Sequence, residues 1–194
     1  MGSLDINFLK SVGKVWNKKD HSEDIITNDT IDGIVSSISS LITNRDPKSV
    51  ILMGNKGVGK STLVELVSNN LNTKGWVVFK AAAANLMAGQ RYIGDLEQSI
   101  KNVVSQLIST KKTVWVIPRF HELYYGGRHE FSPVSILDQI LPFVETGELR
   151  ILAEDDDSRL EKVIQSRPQI QGVFELFRIG ISSKAFTMDL VKNW

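Results

Sequence analysis

The chain has 194 residues, 42% of them hydrophobic and 23% charged, with a formal net charge of +1. Such proportions fit a soluble globular protein of one domain, or one domain plus an appendage, and the near-neutral balance gives no broad attraction to nucleic acid or an anionic membrane. With no cysteine the chain has neither disulfides nor thiolate metal sites, no apolar run approaches the ~20 residues of a membrane span, and a cytoplasmic protein is the expectation.

Phe8, Leu9, Val12, Val15 and Trp16 recur at helical spacing and predict a first helix, followed by a polar, linker-like stretch from Asn17 to Glu23. Lys10, Lys14, Lys18 and Lys19 run beside its apolar stripe, which either docks on a membrane or partner or, as two turns of apolar surface favour, packs on the chain's own domain. A second helix carries Ile31, Ile34, Val35, Ile38, Leu41 and Ile42 on one face, with Asp29 or Thr30 as its cap. Short apolar runs then alternate with amphipathic helices. Strands are predicted at Ser49–Met53, Trp76–Lys80, Thr113–Ile117, Glu148–Leu152 and Phe174–Ile179, and helices near Lys60–Leu71, Asp95–Ser109, Val134–Glu145 and Ser158–Ser166. The alternation predicts an α/β fold with a five-stranded, mostly parallel sheet flanked by helices, binding ligands at the carboxyl ends of its strands. One more helix is expected from Ser183, and the stop at Trp194 reads as the end of a fragment.

Gly54-Asn55-Lys56-Gly57-Val58-Gly59-Lys60-Ser61 has the two glycines, lysine and serine of a phosphate-binding loop, between a predicted strand and a predicted helix. Glycines let successive backbone N–H groups converge on phosphate oxygens, and the helix N-terminus adds partial positive charge. Lys60 is expected on the β- and γ-phosphates of ATP or ADP, with the Ser61 hydroxyl on Mg²⁺. Thr62 and, from upstream, Ile26 complete the expected nucleotide contacts.

Beyond the loop, roughly residues 24–194 resemble the first ATPase domain of the Clp disaggregase and unfoldase family of AAA+ proteins. Leu86 to Glu97, with Arg91-Tyr92 before Gly94, resembles that family's first pore loop. Phe120-His121-Glu122-Leu123 is similar to the segment after the Walker B strand, Thr146 to Arg150 to the lead into the sensor strand, and Phe174 to Ile179 to the strand before the small lid. The resemblance implies a three-layer P-loop NTPase (AAA+) fold without its lid subdomain, with residues 1–23 as helix and linker ahead of the large nucleotide-binding subdomain at 24–194. It also implies assembly with other AAA+ subunits into a ring, a polypeptide substrate or protein partner gripped by Tyr92, and no nucleic acid. Tyr92 is equally consistent with a half-buried surface aromatic.

The departures from the family fall on the residues of hydrolysis. The family ends the strand equivalent to Thr113–Ile117 in Asp-Glu, one acid for Mg²⁺ and one for water, whereas here Pro118-Arg119 stands there and neither can act as a base. Glu122 aligns without a shift and is no substitute. At the sensor, Glu154-Asp155-Asp156-Asp157 replaces polar neutral residues, with Asp155 and Asp156 at the matching positions. Gly172-Val173 replaces a pair of arginines, and Arg167 lies several residues early and reads as a surface charge.

Three readings of Arg119 and the acids compete: an Arg119–Asp155 or Arg119–Asp156 ion pair, a solvated acidic loop, and a relocated Mg²⁺ carboxylate on Asp155 or Asp156. His121 and His129 have no metal-type spacing. Tyr124 to Arg128 resembles a loop facing the family's pore and equally an ordinary turn. The functional expectation is a nucleotide-binding module with weak or absent hydrolysis. The alternatives are an active ATPase with rearranged residues, a nucleotide-independent scaffold and, less favoured, a DNA-associated ATPase.

Overall fold

A computed structural model describes residues 4–16, 27–90, 93–128 and 133–180. Helix α1 (Ile6–Val12) starts where Asp5 accepts a hydrogen bond from the Phe8 N–H and stops at Gly13. The next residues form a short strand, β1 (Lys14–Val15). The helix expected through Trp16 therefore ends four residues early. Lys14 and Val15 instead pair antiparallel with Lys80 and Phe79, because an open sheet edge competes successfully for their backbone groups. Leu9 is nevertheless fully buried and Trp16 nearly so, so the apolar stripe packs on the chain's own domain. Lys18 and Lys19 lie outside the described residues.

Helix α2 (Asp29–Thr43) is capped by Asn28, whose side-chain Oδ1 accepts from the Ile31 N–H at 3.0 Å, one residue before the expected cap. Then follow β2 (Ser49–Met53), α3 (Lys60–Thr73), β3 (Val77–Lys80), α4 (Ala83–Met87), α5 (Ile93–Ile108), β4 (Thr113–Pro118), α6 (His121–Tyr125) and α7 (Ile136–Glu145). The chain continues through β5 (Ile151–Asp155), α8 (Asp157–Ser166), α9 (Ile170–Val173) and β6 (Phe174–Arg178). The sheet order is β1-β3-β4-β5-β2-β6, parallel except for β1. The five predicted strands are all present, and the sixth is the β1 edge. Parallel strands covered on both faces need continuous apolar sequence, and every residue of β2 is buried.

The pleat divides the core in two. Ile51, Ile117, Ala153 and Trp115 point to a layer shared with α5, α6 and α7. Leu52, Val116 and Leu152 point the other way, to α2 and α3. This is the three-layer α/β/α arrangement. Strand β5 runs three residues later than the expected Glu148–Leu152. Gly147 turns the chain at φ +71° and Leu149 is buried, so pairing with β2 and β4 starts only at Ile151 and carries Glu154 and Asp155 into the sheet.

Candidate phosphate-binding site

Strand β2 delivers the chain to Gly54, and Gly57 and Gly59 then turn it at φ +86° and +93°, a region that side chains rarely tolerate. A Cβ on Gly54 would overlap the Ile179 carbonyl oxygen, and the Ile179 N–H donates to the Met53 carbonyl at 2.7 Å, so the first glycine lets the end of β6 close against the loop. Helix α3 opens at Lys60 with no side-chain cap, leaving its first-turn N–H groups for an anion. Lys56, Gly57, Gly59, Lys60, Ser61 and Thr62 border a cavity of about 370 Å³, which Arg119, Arg159 and the acids of β5 close from the other side. Gly54 and Asn55 lie behind it and give their carbonyl oxygens to the Lys60 ammonium at 2.7 and 2.8 Å. Val58 stands over Gly54.

Each residue of the acidic run has its own donor, because the pleat sends neighbours to opposite faces. Glu154 faces α3 and accepts the Ser61 hydroxyl proton, its two oxygens 2.8 and 3.0 Å away. Asp155 faces the other layer and is 3% exposed. It accepts from the His121 N–H at 2.5 Å, from His121 Nδ1 at 2.9 Å and from the Asp156 N–H at 2.8 Å, bracketing the start of α6 to the end of β5. Asp156 reaches the Lys60 ammonium at 3.2 Å, and Asp157 receives Arg178 at 3.2 Å. The solvated acidic loop is therefore absent. So is the Arg119 pair with Asp155 or Asp156: Arg119 has left-handed φ of +55°, and its exposed guanidinium meets Glu122 at 3.1 Å. The positive φ turns that side chain back along α6, and His121 and Lys60 take the acids instead.

Arg167 is also not a bare surface charge. Its Nε donates to Asp138 at 3.0 Å and its guanidinium lies 5.5 Å from the Tyr124 ring centre. Asp138 caps α7 in turn, exchanging hydrogen bonds with Ser135. Burial pushes the Asp138 carboxyl up, but hydrogen bonds from Arg167 and Ser135 outweigh it and hold the group below its usual value. Ile26, Tyr92, His129 and the helix expected from Ser183 lie outside the described residues.

A family model described as "ATPase family associated with various cellular activities (AAA)" matches residues 50–169. The chain belongs to the AAA family. Among curated proteins, this AAA chain is 24% identical over 198 residues to the chaperone protein ClpB of Mycoplasma pneumoniae, covering 89% of this chain and 27% of that protein. The ClpB of Mycoplasma genitalium is 24% identical over 199 residues, covering 96% and 28%. The chain thus spans about a quarter of the length of these relatives. A solved structure of the S. cerevisiae Hsp104:casein complex in its extended conformation superposes with a TM-score of 0.77 at 18% identity, covering 96% of this chain and 33% of that one. The S. cerevisiae Hsp104–ADP complex gives 0.75 at 17% identity, covering 95% and 33%. Within the AAA family the chain thus resembles the Clp/Hsp104 proteins.

An ATPase family implies a nucleotide and Mg²⁺, and the donor set fits both. Uncapped N–H groups and an ammonium suit a polyphosphate. Around Ser61 the donors are all oxygen, the chemistry Mg²⁺ selects. Among the described residues no group of three or more His, Asp and Glu could hold a metal ion by itself. Sequence reasoning missed Glu154, having ended its strand at Leu152. The alternation itself was the available signal: extended by three residues, the pattern that buries Leu152 toward α3 sends Glu154 the same way.

Proposed function

We propose that this chain is an ATP- or ADP-binding AAA module of a Clp-like protein-remodelling or assembly factor, with weak or absent hydrolysis. The carrying observation is the uncapped N-terminus of α3 beside the Lys60 ammonium, opening onto a cavity of about 370 Å³. The main-chain N–H groups of Gly57 to Ser61 bind phosphate oxygens, and Lys60 neutralises the β- and γ-phosphates once Asp156 is displaced. Ser61 holds Mg²⁺, which when bound draws charge from the phosphates. Lys56, Arg119 and Arg159 add positive charge at the cavity rim. Their presence offsets the repulsion that Glu154 and Asp156 would exert on a triphosphate. Tyr92 grips a polypeptide, other AAA subunits complete a ring, and further segments of a longer protein supply the work. The Hsp104 structures in complex with ADP and with casein support the nucleotide and polypeptide parts of this reading.

Weak hydrolysis is supported by the residues at and just after the end of β4 and by the engagement of Asp155. Pro118 carries no base, Arg119 is a cation engaged with Glu122, and Asp155 spends its oxygens on His121 and Asp156. A general base contributes about 10²–10⁴-fold, so its loss reduces a turnover of order 10 s⁻¹ to a very slow one. Binding of a fluorescent ATP analogue, with Lys60→Ala as control, tests the site. Phosphate release, with Arg119→Glu as an attempted repair, tests the hydrolysis. Substantial wild-type turnover that Lys60→Ala abolishes would overturn the hydrolysis-deficient reading. One observation favours a second reading, a nucleotide-independent scaffold: Lys60 already has three oxygen partners from the protein itself. Absence of binding at millimolar nucleotide would select it.

A further inference from the structure

Strand β4 ends without a carboxylate, yet the cavity has one on the adjacent strand at the same level. The geometry points to Glu154 as the carboxylate of a Mg²⁺–nucleotide site shared with Ser61, an assignment that rests on the nucleotide-binding reading above. Parallel pairing sets Glu154 beside Pro118 on one flank and beside Leu52 on the other. Val116, Leu152 and Leu52 all pack on the α3 side of the sheet. Two residues further along each strand, alternation returns Pro118 and Glu154 to that side. An acid missing from the end of β4 is thereby replaced by one from β5, one strand closer to the phosphate loop.

Proton placement agrees. A hydroxyl has one proton and two lone pairs, and Ser61 gives the proton to Glu154, whose oxygens lie 2.8 and 3.0 Å away. The Ser61 lone pairs are then free for a cation, and a carboxylate with about four acceptor sites keeps others for the ion or its waters. Of the other acids near Lys60, Asp155 is spent on His121, and Asp156 pairs with Lys60 whereas Ser61 pairs with Glu154. One carboxylate, one hydroxyl and phosphate oxygens are what a small divalent cation that keeps several waters requires. Without the ion, Glu154 would face a triphosphate with like charge, so the same side chain weakens nucleotide binding in the absence of metal and strengthens it in its presence.

That reversal of sign supplies the test. A fluorescent ATP analogue is titrated into the full chain and into Glu154→Gln, each in EDTA and in excess Mg²⁺. Glutamine keeps an amide oxygen for the Ser61 proton, and thermal unfolding checks that the fold is retained. The expected result is that Glu154→Gln binds severalfold tighter than wild type in EDTA and loses about tenfold or more of the strengthening by Mg²⁺, since even outer partners of a metal site are worth 10–100-fold. The electron paramagnetic resonance signal of protein-bound Mn²⁺–nucleotide should appear with wild type and collapse with Glu154→Gln. Glu154→Asp, which keeps the charge, should retain more of the metal effect than Glu154→Gln. The inference is overturned if Glu154→Gln changes affinity by the same factor with and without metal, if wild type binds nucleotide but gains nothing from Mg²⁺, or if aspartate loses more than glutamine. No nucleotide binding in either buffer would instead remove the nucleotide reading, and this inference with it.

Discussion

Replacing Asp156 with asparagine should make nucleotide bind more tightly. The Lys60 ammonium is held by Asp156 at 3.2 Å and by the Gly54 and Asn55 carbonyls at 2.7 and 2.8 Å. Phosphate needs the ammonium, so the carboxylate must first let go. The bare Coulomb attraction at 3.2 Å is about 5 kcal/mol at an effective dielectric constant of ~20. The Asp156 side chain is 34% exposed, so water recovers most of that, and the net strength lies near the upper end of exposed pairs, about 1 kcal/mol. Removing the competing charge should therefore tighten binding about fivefold. Asparagine is a good replacement because Asp156 occupies the N-cap of α8, a position asparagine fills equally well. The two backbone carbonyls still hold Lys60 in place. The assay is a titration of fluorescent ATP analogue at fixed ionic strength, with Lys60→Ala as the non-binding reference and a salt series across which the gain shrinks as screening rises. An Asp156→Asn protein that is stably folded and binds nucleotide no tighter than wild type would refute competition between Asp156 and phosphate for Lys60.

Asp155→Ala leaves the His121 N–H, His121 Nδ1 and the Asp156 N–H without their acceptor in a nearly buried place, so it should lower stability by at least about 1–3 kcal/mol in urea unfolding, and an unchanged midpoint would mark those bonds as incidental. Asp138 titrates below its usual value of 3.8 in the folded chain, so its ion pair with Arg167 adds stability that is fully present above that pH and is lost as pH falls through the lower folded value. Asp138→Asn should therefore destabilise the protein at neutral pH and flatten the acid limb of its stability curve below about pH 4; a limb as steep as that of wild type would contradict the pairing.

Local chemistry was legible in the sequence wherever a feature depends on neighbours along the chain. The glycine spacing of the phosphate loop predicts a turn with positive φ, and Gly57 and Gly59 supply it. The apolar periodicity predicts α2, α5 and α7, and α2 buries Val35, Ile38 and Ile42 from the face named for it. β1 shows the limit of such reasoning. Val12, Val15 and Trp16 suit a helix by spacing, yet Lys14 and Val15 pair with Lys80 and Phe79, 66 and 64 positions away, at a sheet edge. Arg167 is similar, since its partner Asp138 lies on another helix.

The acidic run marks the boundary between the two kinds of information. Sequence by itself determined the phosphate loop, the alternation of strands and helices, and that Pro118-Arg119 follows the apolar run of β4, because each is a property of residue type at short spacing. Only the tertiary structure decided which acid meets which donor. That choice depends on where β5 begins pairing with β2 and β4, strands about 100 and 36 residues earlier in the chain. With the side-chain period at two, the register that brings Asp155 opposite Met53 turns Glu154 to Ser61 and Asp155 to His121. A slip of one residue would exchange their faces, and no local pattern in four consecutive acids prevents it.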